Sequence, residues 1–254
     1  VLESLGNIAQ AAQLLELLRQ RYPCRNTLAQ ALARQAYLRL LERRAVEALE
    51  LLEHLQLHLE RFHEGKPPGC QLPDKPQLAW QELLYIRGEA YILLERWDAA
   101  WNVFDTLARQ FSDAPLAQRA RLQQGWMLLR RGSAAEALQR FDELRTSPQQ
   151  EIAELAELYG AIARKQLGDT AAARQQLLEL SLRPHSRWSA RALLELGQLA
   201  YEQRRYQSAQ LFLGRARREA ADLPTLLTAV LLLGESLYQQ QQWREAVRLF
   251  QTAE

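Results

Sequence analysis

The apolar, small and polar positions of this chain repeat in a common order. Four segments read alike: YIRGEAYILLERWDAAWNVF from Tyr85, LQQGWMLLRRGSAAEALQRF from Leu122, LELGQLAYEQRRYQSAQLFL from Leu194, and LLLGESLYQQQQWREAVRLF from Leu231. Their glycines, Gly88, Gly125, Gly197 and Gly234, are separated by 37, then 72, then 37 residues, so a fifth member falls at Ala161, beside Gly160. Twelve residues after each of these positions stands an alanine, Ala100, Ala137, Ala173, Ala209 and Ala246. Four further on stands a large apolar residue, Phe104, Phe141, Leu177, Leu213 or Phe250. A period near 36 residues is that of a repeat array, in which each unit is too small to bury its own apolar face.

The spacing within each unit predicts two amphipathic helices packed antiparallel, with the small residues where their backbones come closest. The large residue one turn after the alanine is expected to fill the gap to the next hairpin. Breakers or polar residues mark the turn between the helices: Arg131-Gly132-Ser133, Gly168-Asp169-Thr170, Arg204-Arg205 and Gln241-Gln242. Trp97, Tyr206 and Trp243 then open the second helix as aromatic plugs. The N-terminal third is more degenerate. Residues 1–25 read as the second helix of a truncated repeat, and 26–60 as a repeat with Ala36 and Ala48 in the small positions and Leu52 as filler. Residues 61–79, which hold four of the nine prolines, read as a loop insertion. Repeats at 80–115, 116–151, 152–187, 188–224 and 225–254 complete the array.

These patterns resemble the tetratricopeptide repeat family. Its order of leucine-glycine, aromatic, alanine, aromatic and alanine is carried by Leu233-Gly234, Tyr238, Ala246, Phe250 and Ala253. It recurs in Leu196-Gly197, Tyr201, Ala209 and Ala216, and Pro115, Pro148, Pro184 and Pro224 punctuate the repeat ends. The resemblance implies one all-α domain, a right-handed α-solenoid of about six antiparallel hairpins plus a lone N-terminal helix. The array starts on a second helix and stops without a polar capping helix, so a fragment of a longer protein is expected, with self-association through uncapped ends.

Composition narrows the functional classes. Thirty-two basic against thirty acidic residues leave +2, too balanced for a nucleic-acid partner to be read from charge. The longest uncharged stretch, between Asp222 and Glu235, is short of the ~20 residues of a membrane helix. No phosphate-binding glycine loop, nucleophile elbow or catalytic carboxylate pair is present, so neither an enzyme nor a cofactor is expected. His54, His58 and His63, with Cys70 downstream, lack a metal-binding arrangement, and no metal site is expected. Cys24 and Cys70 fall in successive inter-repeat connections, where an oxidising compartment would let them pair.

In proteins of this kind the first helix of each hairpin lines a concave face. That register predicts a partner-binding groove of Tyr37, Tyr85, Glu89, Arg119, Trp126, Arg130, Ile162, Gln198, Tyr201, Glu235 and Tyr238, whose aromatics and charges suit a peptide or protein ligand. The lysine-asparagine clamp of family members that capture chaperone C-termini is absent, and Glu89, Glu202 and Glu235 argue against an RNA groove. The repeat endings Tyr22-Pro23 and Phe111-Ser112-Asp113-Ala114-Pro115 are similar to those of bacterial envelope scaffolds that serve outer-membrane assembly or polysaccharide export, which implies a periplasmic location. The alternative is the sensor or assembly domain of a larger cytoplasmic regulator.

Overall fold

The computed structural model describes residues 28–64 and 76–251, together with Gln10, Gln13, Leu14, Glu16, Leu17 and Arg21; of 61–64 and Pro76 only the backbone is described. The described residues form twelve helices and no strand: α1 Leu28–Leu41, α2 Ala45–Glu64, α3 Pro76–Leu93, α4 Trp97–Gln110, α5 Pro115–Arg130, α6 Ala134–Leu144, α7 Gln150–Gln166, α8 Thr170–Leu182, α9 Ser189–Glu202, α10 Tyr206–Glu219, α11 Leu223–Gln239 and α12 Trp243–Gln251. They pair in chain order as six hairpins, an α-solenoid architecture.

One turn builds all six hairpins. A residue with positive φ follows the first helix at Arg43, Glu95, Gly132, Gly168, Arg204 and Gln241, with φ between 57° and 86°. The next residue donates its N–H back to the carbonyl five positions earlier: Arg44 to Arg39, Arg96 to Tyr91, Ser133 to Leu128, Asp169 to Arg164, Arg205 to Ala200, Gln242 to Leu237, all at 2.8–3.0 Å. This is the Schellman closure, which satisfies carbonyls that a helix end leaves open. Only two of the six positions are glycine, so four hairpins hold a side chain in the left-handed region. Two first-turn amides also have acidic caps: Asp169 accepts from the Ala172 N–H, and Asp222 from that of Thr225.

The alanines expected where helices approach are buried, Ala100, Ala137, Ala173 and Ala209 completely. The large residue does something other than fill only the gap between hairpins. It lies over the glycine of its own hairpin, so that a Cβ on Gly88, Gly125, Gly197 or Gly234 would sit 2.1 to 2.6 Å from Phe104, Phe141, Leu213 or Phe250. A hydrogen is the only side chain that fits there. Phe141 also reaches the following hairpin, its ring 5.6 Å from that of Tyr159. Gly160 has no such constraint, its nearest neighbour being 3.5 Å away, and Ala161 occupies the register position, fully buried.

The chain divides into two compact units, 1–124 and 125–254, the boundary falling inside α5. In the second unit a continuous core joins Leu158, Leu177, Leu193, Leu196, Leu213 and Ala229. The final hairpin has a small core of its own, Val230, Leu237, Ala246 and Leu249. Within the stretch 61–79 expected as a loop insertion, α2 runs through Glu64 and α3 begins at Pro76, where proline is tolerated in a first helical turn; residues 65–75 lie outside the described residues. Cys24, Cys70 and Ala253 lie outside the described residues.

Candidate partner-binding surfaces

In the first unit, α1, α3 and the start of α5 line an open cavity of about 530 Å³. Its wall includes Ala29, Ala33, Leu78 and Ile86, with Tyr37, Tyr85, Arg34, Glu82 and Arg119 among its polar groups. Three expected groove residues, Tyr37, Tyr85 and Arg119, therefore meet in one place. Tyr37 is exposed, with the Arg34 guanidinium 5.3 Å from its ring centre. Tyr85 turns its ring toward Phe104, at 5.9 Å, and its hydroxyl is hydrogen-bonded to Glu89.

Glu89 joins adjacent first helices, since Gln123 Nε2 on α5 donates to its Oε1 at 2.6 Å. Burial pushes the Glu89 carboxyl above the usual range, with Tyr85, Gln123 and Arg119 pulling it back. Burial likewise raises the Glu82 carboxyl against the opposing charge of Arg34. Burial is also the main cause of the rise at the Tyr85 phenol, which the Glu89 charge reinforces. Glu89 is thus a bridge between hairpins and only partly a groove surface.

In the second unit, a cavity of about 570 Å³ is lined by Trp126, Leu158, Tyr159, Arg187, Trp188 and Arg191, with Ala221, Asp222 and Thr225 at the start of α11. Of the expected groove residues only Trp126 belongs to it; Arg130 stands 5.6 Å from the Trp126 ring centre. The others sit nearer the C-terminal ends of their helices. Gln198 is half-buried and donates to Glu202 at 3.0 Å, and Ile162 packs against the core. Tyr201 sets its ring edge-on to Tyr206, at 5.6 Å, and Tyr238 does the same with Trp243, at 4.5 Å. Both tyrosines therefore brace the aromatic that opens the following helix. Glu235 and Tyr238 also border a pocket of about 350 Å³ with Trp243, Val247 and Phe250.

Arg187, Trp188 and Arg191 lie outside the expected groove register, where the repeat 152–187 meets the repeat 188–224. An Arg-Trp pair just ahead of a first helix was the available signal. Among the described residues no group of three His, Cys, Asp or Glu side chains could hold a metal ion; the His63 side chain and Cys70 lie outside them. No helix among the described residues is long and apolar enough to cross a membrane.

Family models of the tetratricopeptide repeat match residues 82–151 and 228–253. Comparison with curated proteins gives no significant match. Among solved structures, the chain is similar to a tetratricopeptide repeat protein from Parabacteroides merdae, at 17% identity and TM-score 0.68, over 99% of this chain and 88% of that one. It is similar to PilW, a type IV pilus biogenesis factor, at 17% identity and TM-score 0.65, over 87% and 90%. It also resembles NprR in complex with its cognate peptide NprX, at 13% identity and TM-score 0.60, over 98% and 75%. Repeated hairpins closed by one turn, and a glycine under the large residue in four of them, accompany family-model matches that identify tetratricopeptide repeats at residues 82–151 and 228–253.

Proposed function

We propose that this chain is a protein-interaction scaffold and that its first unit binds a peptide segment of a partner. The cavity formed by α1, α3 and α5 carries the reading: about 530 Å³, lined by apolar residues together with two tyrosines, two arginines and Glu82. Such a mixture anchors a side chain and orients a backbone. Peptide binding by NprR, a protein of similar fold, supports the class of ligand. Trp126, Arg130, Gln198, Tyr201, Glu235 and Tyr238 belong to the same proposal as partner-facing positions of the second unit. A place in bacterial envelope assembly belongs to it too, supported by the similarity of fold to a type IV pilus biogenesis factor; cell fractionation with an antibody against the chain checks that placement.

Selection from a displayed peptide library tests the ligand class. Selected peptides should bind the native chain and lose most of their affinity for Gln30→Trp, a change at an exposed position that lines the cavity and would fill it. Equal binding to both forms would place the working surface elsewhere.

A further inference from the structure

We infer that the second unit's cavity binds an acidic peptide segment, its carboxylates on Arg187 and Arg191 and an apolar neighbour against Trp126, Tyr159 and Trp188. This deepens the scaffold reading by naming the chemistry of the partner. The observation behind it is an imbalance of charge. Every carboxylate with a described contact in or beside this cavity is already engaged within the fold. Asp222 caps α11 through the Thr225 N–H, at 2.8 Å. Glu154 is buried and accepts from Gln150 and Ser186, each at 2.8 Å. Glu157 pairs with Arg183, at 2.8 Å, and Glu219 with Arg215, at 2.6 Å.

The cations are less committed. Arg187 is exposed and, among the described residues, has no hydrogen bond or ion pair. Arg191 has one ion-pair partner there, Glu195, at 3.4 Å, and burial disfavours the charged form of that carboxyl. Two arginines thus line one cavity with three aromatic residues, a combination that takes a carboxylate beside an apolar group. The wall residue Trp188 adds an indole N–H that is buried with no hydrogen-bond partner among the described residues, a cost that a bound acceptor would relieve. Glu157, next in sequence to the lining residue Leu158, and Glu219, bonded to Ser189 beside Trp188, oppose a continuous phosphate backbone but tolerate isolated carboxylates, which favours a peptide over a nucleic acid.

The test uses the full chain and fluorescence anisotropy with three labelled probes: a short peptide of alternating glutamate and leucine, its glutamine counterpart, and oligouridine. The acidic peptide should bind and the glutamine peptide should be weaker by on the order of tenfold. Arg187→Glu, its helicity checked by circular dichroism, should lose a similar factor for the acidic peptide, while Arg187→Lys keeps part of the affinity. Equal binding of the two peptides overturns the charge requirement and leaves the scaffold reading standing. No binding by either up to millimolar concentration, or no effect of Arg187→Glu, overturns the site itself. Oligouridine binding that is lost in Arg187→Glu assigns the site to nucleic acid and overturns the peptide assignment.

Discussion

At the scale of single residues, the glycines within the first helices of the hairpins divide into two physical classes. A methyl on Gly125 would lie 2.6 Å from Phe141, whereas one on Gly160 would meet nothing closer than 3.5 Å. Both are mid-helix, where glycine costs about 0.5–1 kcal/mol relative to alanine. Gly160→Ala should therefore stabilise the chain by about that amount, and Gly125→Ala should destabilise it by about 1–3 kcal/mol through overpacking. Urea midpoints of the two variants, moving in opposite directions, check the pair. Arg204 holds φ 59° at a hairpin turn, so Arg204→Gly should raise stability by about 0.5–1 kcal/mol, read as a higher Tm. Glu195 bears on pH. Burial raises its carboxyl above the ordinary value, against the pull of Arg191 and Lys165. The folded chain then holds that proton more tightly than the unfolded chain. The contribution is full below the ordinary carboxylate value and is lost as pH rises through the raised one. Glu195→Gln should remove that loss, and urea midpoints from acid to neutral pH that fall as steeply as in the native chain would refute it.

At the scale of the element, the hairpin turn is the repeated device. The Schellman closure needs only backbone and a tolerated left-handed residue, which explains why Arg43, Glu95, Arg204 and Gln241 can stand where Gly132 and Gly168 do. Turn chemistry was legible in the sequence at Gly168-Asp169 and invisible at Glu95-Arg96. Capping differs likewise: the Asp169 side chain accepts from the Ala172 N–H, whereas Arg205, at the equivalent place, makes no side-chain cap. Asp169→Ala should cost about 1 kcal/mol and Arg205→Ala close to nothing, as measured by thermal unfolding. A loss of the same size in both would mean that the cap contributes nothing.

At the scale of the molecule, stability should be uneven along the repeats, because each hairpin rests on its neighbours. The second unit's main core runs from α7 to α11, while Val230, Leu237, Ala246 and Leu249 form a separate small cluster. Phe250, equivalent to the fully buried Phe104 and Phe141, is 42% exposed. Amide exchange should therefore be faster in α12 than in α10, by opening of the final hairpin alone. Equal protection in the two helices would show that the unit opens as a whole.

How much of this was legible beforehand follows from which interactions are local. Period, helix pairing and the small positions at Ala100, Ala137, Ala173, Ala209 and Ala246 could be read from sequence, because a repeat writes the same steric requirement several times over. The glycine-on-aromatic contact could be read only as a pattern. That Phe104 covers Gly88 within its own hairpin depends on how the helices cross. The binding surfaces were least legible. Tyr201 and Tyr238 match the family pattern, yet their rings brace Tyr206 and Trp243, while Arg187, Trp188 and Arg191 line a cavity from the junction of two repeats, outside the expected groove register. The sequence by itself determined the repeat, the helices and their small positions, since within each hairpin those rest on residues sixteen or fewer apart and the same spacing recurs about every 36 residues. Only the tertiary structure decided which side chains remain available to a partner. Exposure and charge balance depend on residues tens of positions apart, from Trp126 to Thr225, that the stacking of hairpins brings to one cavity.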